Sequence, residues 1–203
     1  MIKKRIGIFG GTFNPPHNGH ISAAREFINK ISLDELLIIP AYIPPHKEYK
    51  GSVSPADRLE MCRIAFSGIE GAAVSDIEIT RGGQSFTYLT LQELSSKDKD
   101  LFFLVGTDMF LTLDSWVKPE VIFNLASICY VRRETDESNS ALIEEKREFY
   151  TKKFGARIYS VDSSVVEISS TDIREDILNN PDSDYVPKAV LDYIREKELY
   201  NDK

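Results

Sequence analysis

The run KRIGIFGGTFNPPHNGHISAAREFINKI, residues 4–31, decides the fold. Its first part, Lys4 to Phe9, is built from β-branched and aromatic side chains and stops at Gly10-Gly11, which reads as a buried strand ending in a turn. A loop, Thr12 to His17, follows. From Gly19 the apolar residues Ile21, Ala24, Phe27, Ile28 and Ile31 recur at spacings of three and four, the period of a helix with one apolar face. Glu35 to Ile39 returns to strand character. Strand, loop, helix and strand form a βαβ unit, and a crossover of that kind implies parallel pairing and a right-handed connection.

The same alternation continues outward. Ser54-Pro55 with Asp57 behind it predicts a helix start, with a side-chain cap, a proline at the first helical position and an acid near the positive dipole end. Leu59, Cys62, Ala65, Phe66 and Ile69 give that helix its core face. Strands are expected at Val74 to Ile79, Leu101 to Val105, Ile128 to Val131 and Arg157 to Val161, with helices at Thr87 to Leu94, Glu120 to Leu125 and Ser140 to Phe154. Arg132 to Ser140 is polar and without period, and is expected to be an exposed loop. Two further helices, Ser170 to Leu178 and Lys188 to Leu199, are separated at Asn180-Pro181. The expected architecture is α/β: an open, mostly parallel, Rossmann-like sheet with helices on both faces. No linker divides the 203 residues, so one domain is expected, with a small helical C-terminal part from about residue 170.

Composition narrows the function. Hydrophobic content of 42% and charged content of 28% are those of an ordinary globular chain. The apolar run Leu101 to Val105 is far shorter than the roughly twenty residues a membrane-spanning helix needs. The two cysteines, Cys62 and Cys129, read as reduced core thiols of a cytoplasmic protein. A net charge of −7 offers no general attraction to nucleic acid or anionic lipid. An anionic ligand therefore needs a locally basic site.

In open α/β sheets ligands bind outside the carboxyl ends of the strands, so the informative residues are those just after each strand. After the first come Gly10 to His20; after the second, Pro44, Pro45, His46 and Lys47; after Val105, Gly106, Thr107 and Asp108; near the end, Ser169, Ser170, Thr171 and Arg174. The first loop lacks the Gly-Lys-Ser/Thr of a P-loop, and its glycines are misplaced for a dinucleotide fingerprint. It has instead two imidazoles, His17 and His20, astride Gly19 at a helix entrance, where backbone N–H groups and the helix dipole favour an anion. Alternatives are a helix-cap pair satisfying local carbonyls or a zinc site with Asp108 as a fourth ligand. All three histidines, His17, His20 and His46, fall in loops expected at this one edge. Asp108 suits a ribose hydroxyl, a phosphate-bound magnesium or the cap of a helix starting at Met109. Arg174 offers a planar fork for phosphate oxygens, and Trp116 a flat ring that could stack a base or fill the core.

Taken together, His17-Asn18-Gly19-His20 and Ile168 to Arg174 resemble the HxGH and ISSTxIR signatures of a nucleotidyltransferase superfamily. Within it the chain is similar to the bacterial nicotinate mononucleotide adenylyltransferases, through Gly10 to Pro15, Pro44 to Lys47, Ser85-Phe86-Thr87, Gly106-Thr107-Asp108 with Trp116, and Tyr185-Val186-Pro187. Gln84, Phe86 and Leu89 depart from that pattern, where proline, tyrosine and an acid are usual. The resemblance implies adenylyl transfer from ATP to nicotinate mononucleotide, giving deamido-NAD and pyrophosphate, with Mg²⁺ carried mainly by the ATP phosphates. It implies His17, His20 and Arg174 as catalytic residues. Gly10, Gly11, Thr12, Phe13, Gly106, Asp108, Ile168, Ser169 and Ser170 would frame ATP; Lys47, Ser85, Thr87, Trp116 and Arg133 would meet the mononucleotide. HxGH alone does not name the acceptor, so nicotinamide mononucleotide and phosphopantetheine remain alternatives, as does a nucleotide-sensing module without turnover. The sequence leaves open whether the chain forms a homo-oligomer and whether the loop Tyr42 to Val53 is a lid.

Overall fold

Successive side chains of a strand point to opposite faces, and the central strands here are apolar on both, so the sheet they build needs cover on both sides. In the computed structural model, which describes residues 2–45, 53–133, 139–163, 170–180 and 183–201, with the side chains of Arg133 and Ser163 outside that description, six strands form one sheet in the order β3-β2-β1-β4-β5-β6. They are β1 (Lys4–Gly11), β2 (Glu35–Pro40), β3 (Ala72–Val74), β4 (Lys99–Gly106), β5 (Ala126–Arg133) and β6 (Ile158–Ser163). Every pairing is parallel. The helices are α1 (Asn18–Ile31), α2 (Pro55–Phe66), α3 (Ile77–Arg81), α4 (Thr87–Leu94), α5 (Thr107–Leu111), α6 (Pro119–Leu125), α7 (Ser140–Phe154), α8 (Ser170–Asn179) and α9 (Lys188–Glu196). This is the expected open α/β, Rossmann-like arrangement.

The period of two sorts the core into layers. Leu101, Phe103 and Val105 of β4, with Ile128 and Tyr130 of β5, pack under α4 to α7 through Leu91, Phe110, Ile122 and Tyr150. The alternate residues Phe102, Leu104, Cys129 and Val131 pack under α1 and α2 through Ala24, Phe27, Cys62 and Phe66. Gly7 sets the approach of α1: a Cβ there would overlap Leu33 Cδ1 and lie 3.0 Å from Phe27 Cε1. A third cluster joins Met61 of α2 to Ile173 of α8 and to Val190, Leu191 and Ile194 of α9. The C-terminal helices thus dock on the outer side of α2, which is consequently apolar on two faces.

Several boundaries differ from the sequence reading. The expected strand Val74 to Ile79 ends at Val74, and Ile77–Arg81 is helical. The Ser75 hydroxyl accepts from the Ile77 N–H at 3.4 Å, a side-chain turn that competes with strand pairing. The helix expected to start at Met109 starts at Thr107, with Gly106 rather than Asp108 as its N-cap. Arg132 and Arg133 finish β5 instead of opening a loop. α9 stops at Glu196 because the chain then turns through left-handed Glu198 (φ 52) and Tyr200 (φ 67). The Ser54 cap holds as read, its hydroxyl accepting from Asp57 N–H at 3.1 Å.

Candidate active site

Strand order reverses between β1 and β4, and in a doubly wound sheet the crevice opens at that switch point. A cavity of about 440 Å³ lies there. Its walls bring together Gly10, Gly11, Thr12, Phe13, His17 and His20 from the first loop, Ser85 and Thr87 from the start of α4, Gly106, Asp108 and Trp116 beyond β4, and Ser170 at the start of α8. Ile168, Ser169, His46 and Lys47, the middle of the Tyr42 to Val53 loop, and the Arg133 side chain lie outside the described residues.

Aromatic packing shapes the first loop. Phe13 is buried with a left-handed backbone (φ 48), an arrangement a non-glycine residue adopts only when its surroundings enforce it. Its ring meets Phe9 at 5.4 Å and Phe66 at 5.9 Å, and its third neighbour is the His20 imidazole at 5.0 Å. Gly11 leaves room for this, since a Cβ there would press on the Phe13 ring at 3.1 Å. The packing that anchors the loop therefore also orients His20.

The two imidazoles lie against one another, ring centroids 3.7 Å apart and planes tilted by 36°. His20 Nδ1 accepts from the His17 backbone N–H at 3.2 Å, so this nitrogen caps a backbone donor instead of satisfying a local carbonyl. With Nδ1 an acceptor, the neutral ring carries its proton on Nε2, the donor an oxyanion requires. Capping and anion binding thus use different atoms of one ring. The first turn of α1 carries no acidic residue, so no carboxylate of that turn offsets the positive end of its dipole.

Arg174 is not on the cavity wall. Its guanidinium donates to the Asn14 carbonyl at 2.9 Å and to Thr171 Oγ1 at 3.0 Å, which ties α8 to the first loop. Ser85 is buried, and its hydroxyl accepts from Tyr42 N–H at 2.8 Å, fixing the chain after β2 against the entrance of α4. At that entrance Gln84 bridges Ile43, and Phe86 stacks on Tyr88 at 6.1 Å. Trp116 packs against Phe103, ring centroids 6.2 Å apart in an edge-to-face arrangement, and it also lines the cavity. The segment leading to it is held by Asp114, whose carboxylate lies 2.9 Å from both Lys146 Nζ and Tyr150 Oη. Burial pushes the Asp114 carboxyl up, but these hydrogen bonds outweigh it and leave the group below its ordinary value.

Sequence reading missed two features. Arg58 of α2 is fully buried and donates to Thr12 O at 2.8 Å and Tyr42 O at 3.1 Å. One guanidinium therefore fastens the loops after β1 and β2 together. On the opposite wall Glu78 and Thr90 line the cavity, Thr90 Oγ1 donating to Glu78 Oε1 at 2.6 Å while Arg81 donates to Thr90 at 2.8 Å. Among the described residues no group of three or more His, Cys, Asp or Glu side chains gathers as a metal cage would. Burial pushes both thiols up, Cys129 to about 12. No helix among the described residues is long and apolar enough to cross a membrane.

The family described as cytidylyltransferase-like matches residues 8–176. A protein of Clostridium botulinum named "Probable nicotinate-nucleotide adenylyltransferase" is 37% identical over 201 residues, covering 98% of this chain and 100% of that protein. A protein of the same name from Citrifermentans bemidjiense is 39% identical over 213 residues, covering 98% and 99%. Among solved structures, a Plasmodium falciparum nicotinic acid mononucleotide adenylyltransferase complexed with NaAD superposes with a TM-score of 0.77 over 98% of both chains at 20% identity, a likeness of fold.

Proposed function

The chain belongs to the cytidylyltransferase-like family and, within it, to the nicotinate-nucleotide adenylyltransferases, and from that premise we propose that it transfers the adenylyl group of ATP to nicotinate mononucleotide, releasing pyrophosphate. The observation that carries the reading is the shared cavity: the HxGH imidazoles, the Gly106 to Asp108 turn and the Ser85, Thr87 and Trp116 wall face one space at the switch point of the sheet. A binding module without turnover has no need of two imidazoles and a second, separate wall around one anion site.

A 5′-phosphate oxygen of the mononucleotide attacks the α-phosphorus of ATP. A new P–O bond forms as the bond to the bridging oxygen of the β-phosphate breaks, and pyrophosphate leaves with that electron pair. The nucleophile is already an anion, so no covalent enzyme intermediate is needed, and rate comes from positioning and charge stabilisation. His20, its Nδ1 held by the backbone, presents Nε2–H to the α-phosphate oxygens, and His17 supports the same triphosphate. Gly10 to Phe13, Gly106, Asp108 and Ile168 to Ser170 frame ATP, which enters as its magnesium complex; oxygen-rich phosphates suit Mg²⁺ better than the scattered side chains here. Ser85, Thr87, Trp116, Lys47 and Arg133 meet the mononucleotide. Arg174 reaches the departing phosphates by exchanging its Asn14 carbonyl contact for them. One cytoplasmic domain carries both substrates, without nucleic acid or membrane.

The test is pyrophosphate release with MgATP and, in parallel, nicotinate mononucleotide, nicotinamide mononucleotide and phosphopantetheine. Turnover with the first supports the reading. Turnover with another acceptor alone overturns the substrate, and binding without turnover overturns the activity.

A further inference from the structure

The family match ends at residue 176, yet the chain beyond it reaches back to both flanks of the HxGH motif. The Tyr185 carbonyl accepts from the Asn18 N–H at 2.8 Å, and the Asp184 carbonyl from Asn18 Nδ2 at 2.7 Å. These bonds fix the first residue of α1, between the two histidines. On the other side Tyr200 Oη donates to Asn14 Oδ1 at 2.7 Å. Asn14 is buried, only 8% exposed, and its carbonyl is also the acceptor for Arg174. It follows Phe13, whose strained backbone and ring packing set His20.

The tail is built to make this reach. After α9 the chain reverses through left-handed Glu198 and Tyr200, with Leu199 N–H returning to the Ile194 carbonyl at 3.0 Å. Left-handed backbone at two non-glycine residues costs stability, and Tyr200 packs at the edge of the cluster formed by α2, α8 and α9. A tail needed only to cover α2 could end with the helix, whose apolar residues already do that.

We propose that the C-terminal tail is a latch on the phosphate-binding loop and that Tyr200, through Asn14, is a positioning residue for His17 and His20. This rests on the adenylyl-transfer reading for its kinetic consequence, not for its structural one. Tyr200 is not among the residues lining the cavity. Its hydroxyl holds Asn14, Asn14 holds the strained Phe13 corner, and Tyr185 with Asp184 holds the helix entrance, so the imidazoles are set before ATP arrives.

The experiment compares wild type with Tyr200→Phe, Asn14→Ala and the double variant, with Tyr193→Phe as control, because Tyr193 Oη bonds Asp57 on α2 rather than the loop. Tyr200→Phe keeps the ring and loses one hydrogen bond, so kcat with MgATP and nicotinate mononucleotide falls on the order of three- to tenfold, with KM for ATP within about twofold. In the Asn14→Ala background the same change has no further effect on kcat. Tyr193→Phe lowers the unfolding temperature without lowering kcat. Amide hydrogen exchange read at residues 12–20 of the free protein rises in Tyr200→Phe and not in Tyr193→Phe. Multiplicative kcat losses in the double variant, or unchanged loop exchange in Tyr200→Phe, would overturn the latch. Absence of wild-type turnover would instead overturn the function, and the exchange measurement would still decide the latch.

Discussion

Replacing Arg58 by methionine removes a side chain that spans the loops after β1 and β2. The guanidinium is fully buried, 2.8 Å from Thr12 O and 3.1 Å from Tyr42 O. Methionine fills most of the volume, so cavity formation is a small term, and the loss is that of two charge-assisted hydrogen bonds. Each such bond contributes about 1.5–3 kcal/mol, offset by the desolvation cost that the buried charge no longer incurs. With both carbonyls left behind, a net loss of about 2–4 kcal/mol is expected. At a urea m-value of about 2 kcal/mol/M that lowers the unfolding midpoint by roughly 1–2 M. Arg58→Lys, which keeps the charge but lacks the fork to reach both carbonyls, should fall between the two. Turnover should drop as well, because a shift of about 1 Å in Thr12 moves the loop that carries His17 and His20, and such misplacement costs up to about 10²-fold. Urea unfolding followed by far-UV circular dichroism gives the first quantity and pyrophosphate release the second. An Arg58→Met protein with wild-type midpoint and wild-type turnover would refute the assignment of Arg58 as the brace between the loops.

Other perturbations follow from the same geometry. His20→Ala removes a preorganised donor to charge developing in the transition state, and kcat should fall on the order of 10²- to 10³-fold with the fold intact by circular dichroism. Because Asp114 has its carboxyl held below the ordinary value in the folded state, its contribution to stability is fully present above pH about 4 and is lost as pH falls through the lowered folded-state value. Asp114→Asn should therefore lose about 1 kcal/mol at pH 7, roughly 2–4 °C in Tm, and show a flatter stability profile between pH 5 and 2, read by thermal melts across that range. Both thiols are buried and pushed up, Cys129 to about 12, so a thiolate-directed reagent at pH 8 should label neither in the native protein and both in denaturant. Gly7→Ala puts a Cβ against Leu33 and within 3.0 Å of Phe27, and overpacking there should cost about 1–3 kcal/mol by urea titration.

Elements with a clean period and a polar boundary were legible before any coordinates. α4 and α7 span the residues their apolar spacing indicates, and β1 and α1 differ from expectation by one or two residues. Short elements were not. Ile77 and Ile79 alternate as a strand does, yet the Ser75 turn and the bonds from Thr80 N–H to Asp76 O and Gly82 N–H to Glu78 O make the segment helical; α3 and α5 have too few residues for any period to register. Of the site, the parts carried by loops at the sheet edge could be read because their position follows from topology. Arg58 could not be read: an arginine in a helical pattern is ordinarily a solvated side chain. Its burial accompanies its contacts with Thr12 and Tyr42 on the loops after β1 and β2, which lie 46 and 16 residues away in sequence. The Glu78-Arg81-Thr90 wall was hidden because α3, which carries Glu78 and Arg81, reads as part of a strand in the sequence.

The most direct test of adenylyl transfer follows the atoms. Nicotinate mononucleotide labelled with oxygen-18 in its phosphate is turned over with unlabelled MgATP, and the products are weighed by mass spectrometry. In-line attack on the α-phosphorus predicts deamido-NAD retaining all of the label, with unlabelled pyrophosphate released one for one. Release of AMP with a pyrophosphorylated mononucleotide, or ATP hydrolysis with no dinucleotide, would contradict the assignment.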